Sequence, residues 1–463
     1  MKKRVLIIGL DGAEPALIFD RWRDKLPNFS ALMENGLYGP LASTEPPVTV
    51  PAWASMLSSK DPGQLGLYGF RNRLDHAYRP LAVASSTWIK EKTLDMILSR
   101  RRLSSIMLGV PLSYPPRPLR GLMVSGPLTP GKDVVFTYPP GLARELDQAA
   151  GGEYIIDAHG FRTTDKKPLL DRIIRMTESR FKVASHLMTR HPWDFFMMVE
   201  MGPDRIHHGF WRYFDPAHKL FQPGHELEPA VLDYYRLLDG LVGRLVDRAP
   251  RDCLVMVVSD HGGQAMDGGF ALNRWLGEEG LLTLKDIPGK QTALTPEMID
   301  WSRTRAWGEG GYYGRIFFNV AGREPQGVVA ARELESFSRE LREKIENLKT
   351  PEGAAMGNRV LTPQDIYREV NGAPPDLLVY FGDLKYRSLG GVGGAGGLFS
   401  LENDTGPDDA NHSPNGIAIM SEKGGAGSVA SGFRTGLSLY DVAPTVLNYL
   451  GLDVPADMIG RVI

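Results

Sequence analysis

The chain has 463 residues, a formal net charge of −2 and one cysteine, Cys253. Hydrophobic residues make up 42% and charged residues 23%, the balance of a globular protein that buries a large core without staples. The near-neutral charge excludes a nucleic-acid-coating protein, and the single cysteine excludes an intramolecular disulfide.

A first strand is predicted in "MKKRVLIIGLDG". The segment imitates a secretory signal, but Asp11 ends its apolar run before the roughly 7–15 residues that a signal core needs. No window reaches the roughly 18 apolar residues of a membrane span, so a cytoplasmic location is expected. The sequons "NFS", "NDT" and "NHS" are then chance matches.

Further along, "PPVTVPAWASML" places Thr49 between prolines at the head of a helix. A hydroxyl there serves as an N-cap or, beside metal ions, as a nucleophile whose alkoxide the helix dipole favours. Residues from about 66 to 135 are rich in Pro, Arg and Tyr and are expected to form loops or a small cap, although "SSIMLGVP" and "GLMVSG" have strand character. A helix over 169–189 precedes the strand "DFFMMVEMG", which runs into "PDRIHHGFW". One helical turn puts Asp204 and His208, four apart, on one face, with His207 as the alternative to His208. The plain alternative is a capping Asp beside two surface histidines.

A helix over 229–248 leads to "CLVMVVSDHGG", an apolar strand ended by Asp260 and His261. Gly262 and Gly263 permit a backbone turn that would let both side chains reach one ion; a solvated turn is the alternative. A second insertion is expected at about 265–375. "RIFFNV" and "DLLVYFG" are further strand candidates of the alternating pattern, and a Glu/Arg-rich surface helix is expected over 329–348. "GGVGGAGG" at 390–397 matches GxGxxG but joins no strand to a helix, so a flexible loop is expected. His412 in "DDANHSPNGIAI" is a lone loop histidine just before a last apolar strand.

Apolar strands alternating with amphipathic helices predict an α/β fold with a central, mostly parallel sheet between helix layers. Ligands of such sheets gather beyond the carboxyl ends of the strands, and three strands deliver Asp11, Asp204 and Asp260 to that edge.

Taken in order, "VLIIGLDG", "LPNFSALMENG", "PPVTVPAW", "PDRIHHGFW", "VVSDHGG", "APPDLLVYF", "NHSPNGI" and "DVAPTVLNYLG" resemble the alkaline phosphatase superfamily. Within it they resemble the type I phosphodiesterase/nucleotide pyrophosphatase family, over nearly the whole chain. The resemblance implies one alkaline phosphatase-like three-layer domain over 1–463 and two divalent metal ions. Zinc suits the mixed His/Asp set, with manganese or iron as alternatives. It assigns Asp204, His208 and His412 to one ion, and Asp11, Asp260 and His261 to the other. Thr49 would be the nucleophile, touching the second ion and passing through a phospho-threonine intermediate. Two divalent cations and three carboxylates leave one positive charge, enough to hold a phosphoryl group in a slightly acidic protein.

Thr49-Val50-Pro51-Ala52-Trp53 lacks the Cys or Ser and the Arg of the sulfatase C/S-x-P-x-R motif. Phe70 of "LGLYGFRNR" stands where the family carries a phosphate-binding Asn, which leaves Asn72 or Arg71 for that part. The expected activity is hydrolysis of phosphodiester or pyrophosphate bonds in a small phosphorylated substrate, without stable nucleic-acid binding. The alternatives are a phosphomonoesterase, a phosphoglycerate-mutase-like phosphotransferase, and a metal- or ligand-binding protein on the same fold.

Overall fold

The computed structural model describes residues 2–424 and 431–463. A ten-stranded sheet lies at its centre. In chain order its strands are β1 (Arg4–Leu10), β2 (Gly36–Ala42), β3 (Ser105–Val110), β4 (Gly121–Ser125), β5 (Thr137–Tyr138), β6 (Phe195–Glu200), β7 (Cys253–Val258), β8 (Asn415–Lys423), β9 (Gly432–Phe433) and β10 (Leu437–Ser438). The spatial order is β9-β2-β8-β7-β1-β6-β3-β4-β5, with β10 also on β2. The run β7-β1-β6-β3-β4 is parallel throughout. The flanking strands β8 and β5 are antiparallel to their neighbours.

The parallel strands are apolar on both faces because helices cover both, and β3, β6 and β7 are buried along their whole length. Four helices matter for the site: α1 (Thr49–Ser58), α2 (Lys166–Arg190), α3 (Gly202–Phe214) and α4 (Ala230–Arg248). The register sets Leu10 of β1 opposite Glu200 of β6, and Gly9 opposite Val258 of β7. Three carboxyl ends therefore finish level, side by side.

A second hydrophobic core runs from Phe270 to Tyr386. It packs on a four-stranded antiparallel sheet in the order Ala306–Glu309, Gly314–Phe318, Leu377–Tyr380, Arg359–Leu361. Here the structure departs from the sequence expectation. "RIFFNV" and "DLLVYFG" belong to this second sheet, since a short apolar run does not itself reveal which sheet will bury it. Helix α5 (Leu334–Glu346) covers this sheet with Phe337, Leu341 and Ile345, spaced four apart, and starts later than the expected 329. Residues 66–135 are not all cap either, because "SSIMLGVP" and "GLMVSG" form β3 and β4 of the central sheet, as their strand character suggests. The glycines at 390–397 form a strand fragment and loop with no helix behind it. Among the described residues no helix is long and apolar enough to cross a membrane.

Candidate metal centre

Asp11 leaves β1 fully buried. The next residue, Gly12, has φ +69°, and a Cβ there would lie 3.1 Å from the Cα and Cβ of Asp204. Glycine is what lets this turn touch α3. Helix α1 aims two residues one turn apart at the same place. Trp53 Nε1 donates to Asp11 Oδ2 at 2.7 Å, and Thr49 Oγ1 lies 3.3 Å from His261 Nε2. Thr49 is the first helical residue, Val48 occupies the cap position, and no side chain caps the helix. The capping alternative for Thr49 therefore falls away.

Asp204 stands in the first turn of α3, and His208 Nε2 is 3.2 Å from its Oδ1. His207 turns the other way, to the Tyr235 hydroxyl at 3.1 Å, and burial pushes its imidazole down to about 3. Of the two adjacent histidines, His208 is the one at the cluster. His412 Nε2 lies 3.6 Å from the same Asp204 oxygen.

His261 and His412 are brought together by a short antiparallel ladder between Gly262–Ala265 and Ala410–Ser413, in which Gly263 faces His412. Their rings stack at 3.6 Å. Glu14 ties the ladder at one end, accepting from Gly263 N at 3.1 Å and Ser413 Oγ at 2.8 Å. The glycines have a different use from the one expected. Neither has a positive φ. A Cβ on Gly262 would sit 2.3 Å from Glu14 Oε2, and one on Gly263 would sit 2.7 Å from His207 Nδ1. They are needed for room, not for a turn.

Each of the three histidines has its Nδ1 occupied. His208 meets Asp408 Oδ1 at 2.6 Å, His261 meets Gly262 O at 2.9 Å, and His412 meets Pro47 O at 2.7 Å. Since the two carbonyls accept only from N–H, His261 and His412 each present the lone pair of Nε2. Among the expected ligands, Asp11 Oδ1, Asp260 Oδ2 and His412 Nε2 are buried without any hydrogen-bond partner. Asp260 Oδ2 is 3.3 Å and Asp11 Oδ1 3.7 Å from His261 Nε2.

Two ligand atoms about 2.0–2.1 Å from a tetrahedral zinc stand about 3.4 Å apart. The separations here, 3.2 to 3.7 Å, straddle that value. The donor set thus fits divalent cations, and one ligand atom from each of Asp204, His208 and His412 lies within 4.8 Å of the others. The same holds for Asp11, Asp204 and His261. Asp204 stands in both triplets, whereas Asp260 joins the second through His261.

Electrostatically the two halves differ. Burial, and then the facing Asp260, hold the Asp11 carboxyl well above its ordinary range; burial does the same for Asp260. Burial would raise Asp204 too, but His208 and Arg205 outweigh it and hold Asp204 well below. Burial opposes charge on His208, yet Asp408 and Asp204 push its imidazole up to about 10.

Several residues at the site carried no sequence signal. Asp408 holds His208 on one side and meets Arg162 Nε and Arg387 on the other, each at 2.7 Å. Arg205 bonds Asp204 and, at 2.7 Å, Asp157. Position in sequence offered only hints, since Asp408 is four before His412 and Arg205 follows Asp204.

The expected phosphate contacts are not brought in. Asn72 is buried with its amide spent on its own loop, accepting from Tyr68 N at 2.7 Å and donating to Gly69 O at 3.0 Å. Arg71 is exposed, and its carbonyl accepts from Arg315 at 2.6 Å. Phe70 rests near Tyr312, ring centroids 6.1 Å apart.

Residues 5–408 match the model of a family described as type I phosphodiesterase / nucleotide pyrophosphatase. No curated protein matches the sequence. Solved structures resemble the fold at low identity. Murine ectonucleotide pyrophosphatase / phosphodiesterase 5 is 12% identical with a TM-score of 0.55, over 98% of this chain and 96% of its own. Phosphonoacetate hydrolase from Sinorhizobium meliloti 1021, in complex with phosphonoformate, is 13% identical with a TM-score of 0.59, over 97% and 96%. An inactive variant of the murine protein, in complex with AMP, is 12% identical with a TM-score of 0.54, over 98% and 96%.

Proposed function

From the premise that the chain belongs to the type I phosphodiesterase / nucleotide pyrophosphatase family, whose members hydrolyse phosphoester-type bonds, we propose that it is a two-metal hydrolase of phosphodiester or pyrophosphate bonds with Thr49 as its nucleophile. One observation carries the reading: the unpartnered oxygens of Asp11 and Asp260 and the unpartnered Nε2 of His412 sit in a buried cluster beside the Thr49 hydroxyl.

Asp204, His208 and His412 would hold one ion, and Asp11, Asp260 and His261 the other, with zinc the metal these donors favour. Two such ions, when bound, stabilise charge on the entering and leaving oxygens of an in-line displacement. The chain's own residues do the rest. Thr49 Oγ1 gives up its proton and attacks phosphorus, the bond to the leaving oxygen breaks, that oxygen takes up a proton, and the phosphoryl group rests on Thr49. Water then attacks that phosphorus, the Thr49 ester bond breaks, a proton from the water restores the Thr49 hydroxyl, and phosphate or a phosphomonoester departs. The N–H groups in the first turn of α1 have no intrahelical acceptor and favour the anionic nucleophile. Trp53 fixes the helix to Asp11 during both steps.

A small phosphorylated substrate and a cytoplasmic setting complete the proposal. With the Asn72 amide spent on its own loop, grip on the substrate would fall to the bound cations and the helix terminus. The test is hydrolysis of bis-p-nitrophenyl phosphate against p-nitrophenyl phosphate, with and without chelator. A preference for the diester that chelator abolishes is expected. Hydrolysis that survives chelation refutes the two-metal mechanism, and a strong monoester preference refutes the substrate class.

A further inference from the structure

Tyr312 lies at the tip of the hairpin between Ala306–Glu309 and Gly314–Phe318, so it is carried by the second, antiparallel sheet, not by the central one, and it packs against the small cluster of Val48, Tyr313, Leu378, Tyr380 and Leu384. Yet its ring enters the metal centre. It stacks on His412 with centroids 3.8 Å apart, and the opposite face of His412 stacks on His261 at 3.6 Å. Arg387 closes the pile, its guanidinium carbon 4.4 Å from the Tyr312 centroid. The order is His261, His412, Tyr312, Arg387.

Asn411 clips the same pile from the side. Its Nδ2 donates to Tyr312 O at 2.9 Å, and its Oδ1 accepts from His412 N at 2.9 Å. Arg387 in turn bonds Asp408 Oδ2, whose other oxygen holds His208.

His412 needs such help more than His208 does. His208 is braced by a carboxylate and sits on a long helix, whereas the Nδ1 of His412 has only the Pro47 carbonyl, and its strand belongs to a two-stranded ladder. Contact on both faces removes the ring rotation that one hydrogen bond leaves open.

We propose that Tyr312 is a positioning residue for His412: the hairpin of the second, antiparallel sheet supplies the wall that completes the Asp204–His208–His412 triplet, so its affinity for a cation depends on this hairpin being docked. The inference rests on the two-metal reading above. It goes beyond that reading by placing control of one of the two sites in a part of the chain that contributes no ligand.

The experiment is zinc titration of the full-length, metal-stripped protein against a competing chromophoric chelator, comparing wild type, Tyr312→Phe and Tyr312→Leu. Phenylalanine keeps the stack and loses only the 3.4 Å contact to Arg162. Leucine keeps apolar bulk and loses the ring. Supports of a metal-bound His are worth about 10–100-fold in affinity. Tyr312→Leu should therefore weaken one of two zinc sites at least ~10-fold and leave the other near wild type, while Tyr312→Phe stays within ~3-fold at both. Two wild-type affinities in Tyr312→Leu overturn the proposal, as does equal weakening in Tyr312→Phe. Should Tyr312→Leu not fold, Tyr312→Met supplies the flexible apolar replacement, with the same outcomes. A wild-type protein that takes up no zinc overturns the two-metal reading itself, a result that no comparison of variants can mimic.

Discussion

Replacing Asp408 with asparagine separates the charge on the His208 support from its shape. The carboxylate makes four contacts: His208 Nδ1 at 2.6 Å, Arg162 Nε at 2.7 Å, Arg387 at 2.7 Å and, more distantly, Asn403 Nδ2 at 3.4 Å. Asparagine supplies one acceptor oxygen and one NH2. If the oxygen takes His208, the NH2 faces two guanidinium groups that only donate. Removing one partner of a buried ion pair costs about 3–5 kcal/mol, because the remaining charge stays desolvated. The Arg162 side chain keeps 19% of its surface in water, so the lower end, about 3 kcal/mol, is expected. The metal effect is separate. Losing the carboxylate behind a ligating histidine lowers affinity about 10–100-fold, or about 1.4–2.7 kcal/mol. Urea unfolding of the metal-free protein reads the first effect, and competitive zinc titration reads the second. An Asp408→Asn protein whose zinc sites both keep wild-type affinity would refute the reasoning that this carboxylate prepares His208 as a ligand.

Thr49→Ala should keep two metal equivalents and its melting temperature while turnover of a diester falls at least ~10³-fold; near-normal turnover removes Thr49 from the nucleophile's part. Gly262→Ala places a Cβ 2.4 Å from both Asn415 O and Ser413 Oγ, so urea unfolding should show a loss of about 1–3 kcal/mol. His207→Phe should cost about 1 kcal/mol through the lost Tyr235 contact and leave metal content unchanged, and a lost equivalent of zinc would place His207 among the ligands.

The sequence makes some of this visible for a physical reason. A parallel strand buried on both faces is a run of apolar residues, so the first polar residue after it marks the sheet edge where ligands collect. Asp11 and Asp260 stand out that way, and the helical spacing of Asp204 and His208 adds to it. His412 has no such frame, because its neighbours come from pairing with Gly262–Ala265, about 150 residues earlier. Asp408, Asp157 and Tyr312 are illegible for the same reason. Their meaning lies in contacts with residues far away in the chain, and nothing in their local periodicity differs from a loop. At 66–135 the apolar runs of β3 and β4 are legible as strands, while the turn-rich composition around them suggests a cap and hides their place in the central sheet. It also gave no warning that "RIFFNV" would join a separate antiparallel sheet.

The two triplets meet the cation in different protonation states. Around His208, the carboxylates of Asp157, Asp204 and Asp408 face the guanidinium groups of Arg162, Arg205 and Arg387, and the network is neutral before His208 is counted. Asp11 and Asp260 have no such partners; Trp53 N–H and Gly12 N–H are neutral donors. Burial therefore raises both carboxyls, and without a cation they hold protons that ordinary carboxylates would lose. His208, at about 10, holds one more. A group whose folded value is raised stabilises the fold below its unfolded value and loses that contribution as pH climbs through the folded one. The contribution of the Asp11–Asp260 pair should accordingly fade from acid towards neutral pH in the metal-free protein, opposite in sign to that of Asp204, which is held low and stabilises as pH rises. A divalent ion supplies the missing positive charge and must displace these protons to bind. Zinc binding followed calorimetrically in buffers of different ionisation enthalpy should show net proton release at neutral pH, and apparent affinity should rise with pH. Proton uptake, or an affinity that does not change with pH, would mean that Asp11 and Asp260 are ionised before the metal arrives, and that the buried pair is neutralised by a group other than the cation.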